Sequence, residues 1–218
     1  MTRLPDGGVV VDVGSGRECR FARRRPAGRD VRIIGVDVSE AELNENHDVD
    51  GRIVADVSAG LPFGRATVDL VTSRSVLEHF DNTEQFIIES ARVLKPGGYS
   101  IHLCASRFAP FSVLNRLLPA ALSKKLLDAF HPEVKGRLGF RAYYDRTCAS
   151  CLRDLFKANG FDLVDLKVSY YQSGYYNFFL PLYLLSALYE LLLYRLDVED
   201  LAAKLMIVAR KPTSSKVV

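Results

Sequence analysis

Three observations in the sequence predict a doubly wound, mostly parallel seven-stranded α/β sheet with an inserted helical cap. Short apolar, β-branched runs recur along the chain, helical segments fall between them, and a glycine loop closes the first run. Such alternation requires right-handed crossovers, which lay helices on both faces of a parallel sheet. The 218 residues suffice for one domain, 1–218, carrying insertions at 107–146 and 175–201.

Each element has its own warrant. Gly8 to Gly14 is a β-branched run closed by glycines, the pattern of a buried parallel strand. Glu18 to Arg25 has the composition of a short helix, stopped by Pro26. Arg32 to Ser39 supplies the second strand, with Ser39 placed to cap a brief helix. Arg52 to Asp56 reads as the third strand, Leu61 to Gly64 as a turn, and Val68 to Thr72 as the fourth strand. From Asp81, the expected N-cap, to Leu94 the apolar residues follow helical spacing. Pro96-Gly97-Gly98 ends that helix, and Tyr99 to Ala105 forms the fifth strand. Two helical pieces, Phe111–Leu117 and Ala120–Phe130, belong to the cap. Thr147 to Asn159 is a helix closed by Gly160. Phe161 to Tyr171 and Ala203 to Arg210 are the last strands, separated by an apolar helical excursion from Tyr175 to Leu201.

Hydrophobic residues at 48% and charged residues at 25% exclude disordered and collagen-like classes. A net charge of +3 gives no argument for nucleic acid, and none is expected as a partner. The charge is unevenly spread. Residues 17–32 hold seven arginines against two acids, and residues 107–146 hold eight Lys and Arg against three. Solvated faces account for both clusters, and a surface for an anionic substrate or lipid headgroup is the sharper alternative. Four irregularly spaced cysteines and a polar start point to a reducing cytoplasm. Cys148-Ala-Ser-Cys151 lacks a second pair for zinc and reads as two helix-face thiols.

Asp12-Val-Gly14-Ser15-Gly16 stands where the first strand ends, the place where a doubly wound sheet binds its ligand. Glycines there let backbone approach a ligand, and the last position of a dinucleotide motif is Cys19 here, which argues against NAD. Asp37 closes the second strand and Asp56 the third; Asp69 to Phe80 contains Leu77-Glu78-His79, and Arg92 to Gly98 contains Leu94-Lys95-Pro96-Gly97-Gly98. In this order these stretches resemble the class I S-adenosylmethionine-dependent methyltransferases over about residues 8–106 and the last helix and strands. The resemblance implies S-adenosyl-L-methionine as cofactor. It puts Gly14, Ser15 and Gly16 around the methionine and ribose, Asp37 on the ribose, Asp56 at the adenine edge, Ser73 or Ser75 near the sulfonium, and Asp12 at the amino group. Asp56 serves equally well as a turn cap. The short helices after the first and third strands depart from the family pattern.

Methyl transfer to an alcohol benefits from a positioned base, most often His. His47 lies in a polar turn and reads as solvated, while His102 lies inside a strand and reads as structural. His79 follows the fourth strand and is the first candidate base; His131 in the cap is the second, with Asp145 as orienter and Glu78 beside. The cap segments Arg107–Pro119, His131-Pro132-Glu133 and Phe140–Asp145 are similar to a methyltransferase subgroup associated with polysaccharide and glycoconjugate biosynthesis. That similarity implies a sugar hydroxyl as acceptor, with Tyr143, Tyr144 and Glu133 as sugar contacts. A lipid or isoprenoid acceptor, or a non-catalytic cofactor-binding interaction protein, are the alternatives. A divalent metal such as Mg is chemically feasible at these carboxylates, but no ligand spacing demands it.

The apolar stretch Tyr175–Tyr189 contains Pro181 and is shorter than a transmembrane span. Tyr183, Ser186, Glu190, Tyr194 and Asp197 share one face, leaving a broad leucine face. Packing on the domain or on a second copy is the expected use, and a peripheral place on a membrane is the alternative.

Overall fold

The computed structural model describes residues 4–25, 28–119, 125 and 141–213. Seven strands form one sheet in the order β3-β2-β1-β4-β5-β7-β6. They are β1 (Val9–Val13), β2 (Arg32–Asp37), β3 (Gly51–Val54), β4 (Val68–Arg74), β5 (Leu94–Ala105), β6 (Asp162–Ser169) and β7 (Lys204–Arg210). The first five run parallel, and β7 enters antiparallel between β5 and β6. This is the doubly wound fold the sequence predicts.

Central strands are buried on both faces, which explains their nearly unbroken apolar runs. In β1, Val10, Val11 and Val13 are wholly inaccessible, and β4 is buried from Val68 to Ser73. The described helices are α1 (Glu40–Asn44), α2 (Thr83–Val93), α3 (Pro110–Leu117), α4 (Ala149–Ala158) and α5 (Leu180–Leu196), of which α1, α2 and α4 pack on the sheet. The larger core layer gathers Phe86 and Ile87 of α2, Leu152, Leu155 and Phe156 of α4, and Leu205 and Ile207 of β7. On the other face Val10, Ile33 and Leu70 pack with Cys19 and Val31. Burying each such aliphatic side chain stabilises the fold by about 1.5–3 kcal/mol.

Several boundaries differ from the sequence reading, each for a local reason. Glu18–Arg25 forms only a 3-10 turn, Ala22–Arg24, because three consecutive arginines repel one another and leave no apolar stripe. The third strand is Gly51–Val54 and stops before Asp56, which is drawn into a turn with Ser58. Asn82, not Asp81, caps α2, its side chain accepting from the Gln85 N–H at 3.1 Å. Asp145 takes the Thr83 N–H at 3.0 Å, so the first helical residue is already fixed from outside. β5 starts at Leu94 rather than Tyr99: Val68 pairs with Leu94 and Leu70 with Tyr99, so Lys95 to Gly98 bulges out of the ladder. Gly97 permits that bulge with φ at 81°.

Cys148 and Cys151 are joined in a disulfide rather than being two separate thiols. The N-cap and third residue of α4 stand 5.1 Å apart at Cα, within bridging reach. The cap helix Phe111–Leu117 appears as α3, whereas Ala120–Phe130 falls outside the described residues apart from Lys125. The excursion between the last strands resolves into 3-10 turns at Ser173–Tyr176 and Glu199–Leu201 around α5. Ser186 and Leu193 of α5 are buried, and Leu193 joins the larger core layer, whereas most of its other leucines face outward rather than packing on the domain.

Candidate active site

The carboxyl ends of β1, β2 and β4 meet at the glycine loop. Gly14 and Gly16 both have positive φ, at 64° and 49°. The Gly14 and Ser15 N–H groups donate to the Val36 carbonyl, which ties the loop to β2. A Cβ on Gly14 would lie 2.2 Å from Val76 Cγ2, so Val76 packs directly on the loop backbone. Val76 opens the 3-10 turn Leu77–His79, which sets Glu78 and His79 beside the loop.

Acidic groups surround this junction. Asp12 is buried and accepts from Ser15 Oγ at 3.0 Å; burial pushes its carboxyl up to about 6, only partly offset by hydrogen bonds from Cys19 and Ser15. Asp37 receives the Gly16 N–H at 2.9 Å and the Ser39 N–H at 2.8 Å, so it joins the loop to the start of α1. Asp56 is exposed and accepts from Ser58 N–H and Oγ, and those hydrogen bonds lower its carboxyl below the usual range. Asp37 ends β2 opposite Val54, the last residue of β3, and Asp56 follows two residues further in the turn.

The two serines part company. Ser73 is buried and lies 2.7 Å from His102 Nδ1, while Ser100 lies 2.7 Å from His102 Nε2. His102 is held between two hydroxyls, and burial pushes it down to about 3, so it is a neutral structural residue as expected. Ser75 is exposed at the end of β4 with φ at 56°.

Glu78 is buried. Its Oε1 accepts weakly from the Ala105 N–H at 3.4 Å, its Oε2 has no hydrogen-bond partner, and burial raises its carboxyl above the usual range. Its backbone carbonyl receives the N–H groups of both Tyr143 and Tyr144, at 2.8 and 2.9 Å. This bond pair docks the returning end of the cap on the candidate catalytic turn. Tyr143 is half-exposed beneath the Arg141 guanidinium; Tyr144 is buried, with its hydroxyl accepting from Asn115 of α3. His79 Nδ1 lies 3.0 Å from the Arg141 carbonyl. A carbonyl only accepts, so Nδ1 carries the proton and the basic lone pair of neutral His79 is on Nε2. Asp145 is engaged at the start of α2 through Thr83. His131 and Glu133 lie outside the described residues, and His47 is exposed as expected. Among the described residues, no group of three or more His, Cys, Asp and Glu side chains could hold a metal ion.

Asn46 is the residue that sequence reasoning missed. It is fully buried, and its Nδ2 reaches Ser15 Oγ and the Gly16 carbonyl at 3.0 Å and the Ser15 carbonyl at 3.3 Å. Nearby Asp48 accepts the Cys19 N–H at 3.0 Å. The only signal was a polar run, Asn44 to Asp48, which is indistinguishable from an ordinary loop. The donor set fits S-adenosyl-L-methionine: an open glycine turn, the Asp37 carboxylate for hydroxyls, Asp56 for an amino group, and buried Asp12 for a cation. Two surface hollows flank α4 instead, one along Cys151, Asp154 and Leu155, the other along Ser150, Arg153 and Asp200.

Residues 11–102 match the family model described as a methyltransferase domain. The 27-O-demethylrifamycin SV methyltransferase of Amycolatopsis mediterranei (strain S699) is 31% identical over 45% of this chain and 39% of its own. The ubiquinone/menaquinone biosynthesis C-methyltransferase UbiE of Geobacter sulfurreducens is 33% identical over 46% of this chain and 43% of its own. The chain thus spans less than half the length of these curated relatives. Among solved structures, an S-adenosylmethionine-dependent methyltransferase from Mesorhizobium loti superposes with a TM-score of 0.61 at 17% identity. That superposition covers 96% of this chain and 94% of the other, and it bears on the fold alone.

Proposed function

We propose that the chain, whose residues 11–102 match a methyltransferase-domain model, uses S-adenosyl-L-methionine as methyl donor and methylates a hydroxyl of a saccharide or glycoconjugate. When bound, the cofactor supplies a methyl group on a positively charged sulfur. Gly14, Ser15 and Gly16 form the turn against which it lies, Asp37 takes its ribose hydroxyls, Asp56 its adenine edge, and Asp12 its ammonium. Ser75, exposed just after β4, is the serine this reading assigns to the reacting end.

The observation that carries this reading is the seating of Val76 on Gly14, which sets the Glu78-His79 turn against the cofactor loop. His79 takes the acceptor's proton at Nε2, its ring oriented by the Arg141 carbonyl. Tyr143 offers an exposed face to a sugar ring, and the Glu78 carbonyl holds it in place. Asp145 is a positioning residue that fixes the start of α2 against the cap. His131 and Glu133 are assigned to the acceptor by the resemblance of the cap alone.

An oxygen acceptor accords with the relative named as a 27-O-demethylrifamycin methyltransferase. The sugar follows from the resemblance of the cap and from the polar and aromatic character of its residues. A lipid or isoprenoid acceptor is the second reading, favoured by the exposed leucines of α5. Incubating the protein with cofactor and panels of glycosides and isoprenoid alcohols separates the two: methylated glycoside supports the first, methylated isoprenoid the second. Cofactor binding without methylation of either panel would favour a non-catalytic interaction protein.

A further inference from the structure

The orientation of α5 is the reverse of an ordinary surface helix, which turns its leucines inward and its polar side to water. Here Ser186 is buried and Glu190 points inward, receiving the N–H groups of Gln172 and Ser173. Leu180, Leu184, Leu185 and Leu188 are instead 57–66% exposed. From Leu180 to Tyr194 the inward Glu190 is the helix's one charged side chain. Arg195 and Asp197 stand exposed at the far end.

This apolar face does not stop at α5. The Tyr175 ring, just before it, lies 4.9 Å from Phe111 of α3, and α3 adds Leu114 and Leu117, 50% and 76% exposed. Monomeric soluble domains rarely expose contiguous apolar surface on this scale. The α3 side is also cationic. From Ser106 to Pro119 the charged side chains are Arg107 and Arg116, both basic, and Arg116 is exposed.

We propose that the outward faces of α5 and α3 form a docking surface for an anionic lipid bilayer, on which the protein lies without crossing it. No helix among the described residues is long and apolar enough to span a membrane. Leucines of α5 and α3 enter the acyl boundary, and Arg116 of α3 with Arg107 beside it meets lipid phosphates. A second copy would answer the apolar face but would leave the cationic flank without a counter-charge. An anionic bilayer answers both. The proposal stands apart from methyl transfer, because binding is read without turnover.

The test is flotation of the full chain with vesicles of phosphatidylcholine alone and of phosphatidylcholine with phosphatidylglycerol, at low and high salt. The expected result is binding to the anionic vesicles, weakened by salt and by Arg116→Glu, and reduced roughly tenfold or more by Leu184→Glu with Leu188→Glu. Those leucines are exposed, so the variants should keep the wild-type melting temperature. Absence from the floating fraction overturns the proposal, as does equal, salt-insensitive binding to both vesicles. A concentration-dependent dimer in sedimentation that Leu188→Glu dissolves, without vesicle binding, overturns it in favour of a second copy.

Discussion

Replacing Gly14 with Ala probes the junction between the glycine loop and the candidate catalytic turn. Two costs are separable in the structure. The residue sits at φ 64°, a left-handed conformation costing an L-residue about 1–2 kcal/mol. Its new Cβ would stand 2.2 Å from Val76 Cγ2, so Val76 must move, an overpacking cost of about 1–3 kcal/mol. The single variant should therefore lose about 2–5 kcal/mol in urea unfolding. Val76→Ala removes the obstructing methyl groups and should cost about 1 kcal/mol by itself. In the double variant only the backbone cost and the lost valine remain, so the two effects should fall short of additivity by about 1–3 kcal/mol. Turnover should follow, because Val76 leads into the turn bearing Glu78 and His79. Additivity within about 0.5 kcal/mol would refute the claim that Val76 couples the loop to that turn.

Asp12 sets a pH dependence. Its folded carboxyl at about 6 keeps a proton that the unfolded chain, at 3.8, has already lost. Its contribution to stability is therefore full below the unfolded value and lost as pH rises through the folded one, about 3 kcal/mol in all. Asp12→Asn should flatten that slope in unfolding titrations across the window and be the more stable variant at neutral pH. Asn46→Asp sets a carboxylate against the Ser15 and Gly16 carbonyls and should destabilise by about 2–4 kcal/mol in thermal melts at neutral pH, recovering as the medium is acidified. Glu78→Gln, which keeps an acceptor for the Ala105 N–H, should melt close to wild type, whereas Glu78→Ala should lose about 1–3 kcal/mol.

The strands that position the site were legible because burial on both faces leaves an unmistakable mark, as in Val9–Val13 and Val68–Arg74. The glycine turn was legible for the same reason, because it starts one step beyond β1, and Asp12 and Asp37 stand at or next to the last residues of β1 and β2. What stayed hidden depends on partners far away in sequence. Asn46 acts on a loop about thirty residues upstream, and Ser73 is turned inward to His102. Asp145 reads as a site acid but is drawn to Thr83, a helix start that no local spacing announces. The inversion of α5 was equally invisible. Its hydrophobic period locates a polar face at Ser186 and Glu190 but says nothing about which face meets the protein.

The account's central claim is methyl transfer with His79 as base, and the most direct test is release of demethylated cofactor from a labelled donor. The measurement pairs mannoside, glucoside and rhamnoside acceptors with wild type and the His79→Ala and His131→Ala variants, using His47→Ala as control. The account predicts acceptor-dependent release by wild type, a loss of about 10²–10⁴-fold in His79→Ala, and a cofactor Kd from calorimetry that stays within about twofold. Near-normal turnover by a His79→Ala protein that still binds cofactor, or no release with any glycoside, would contradict it.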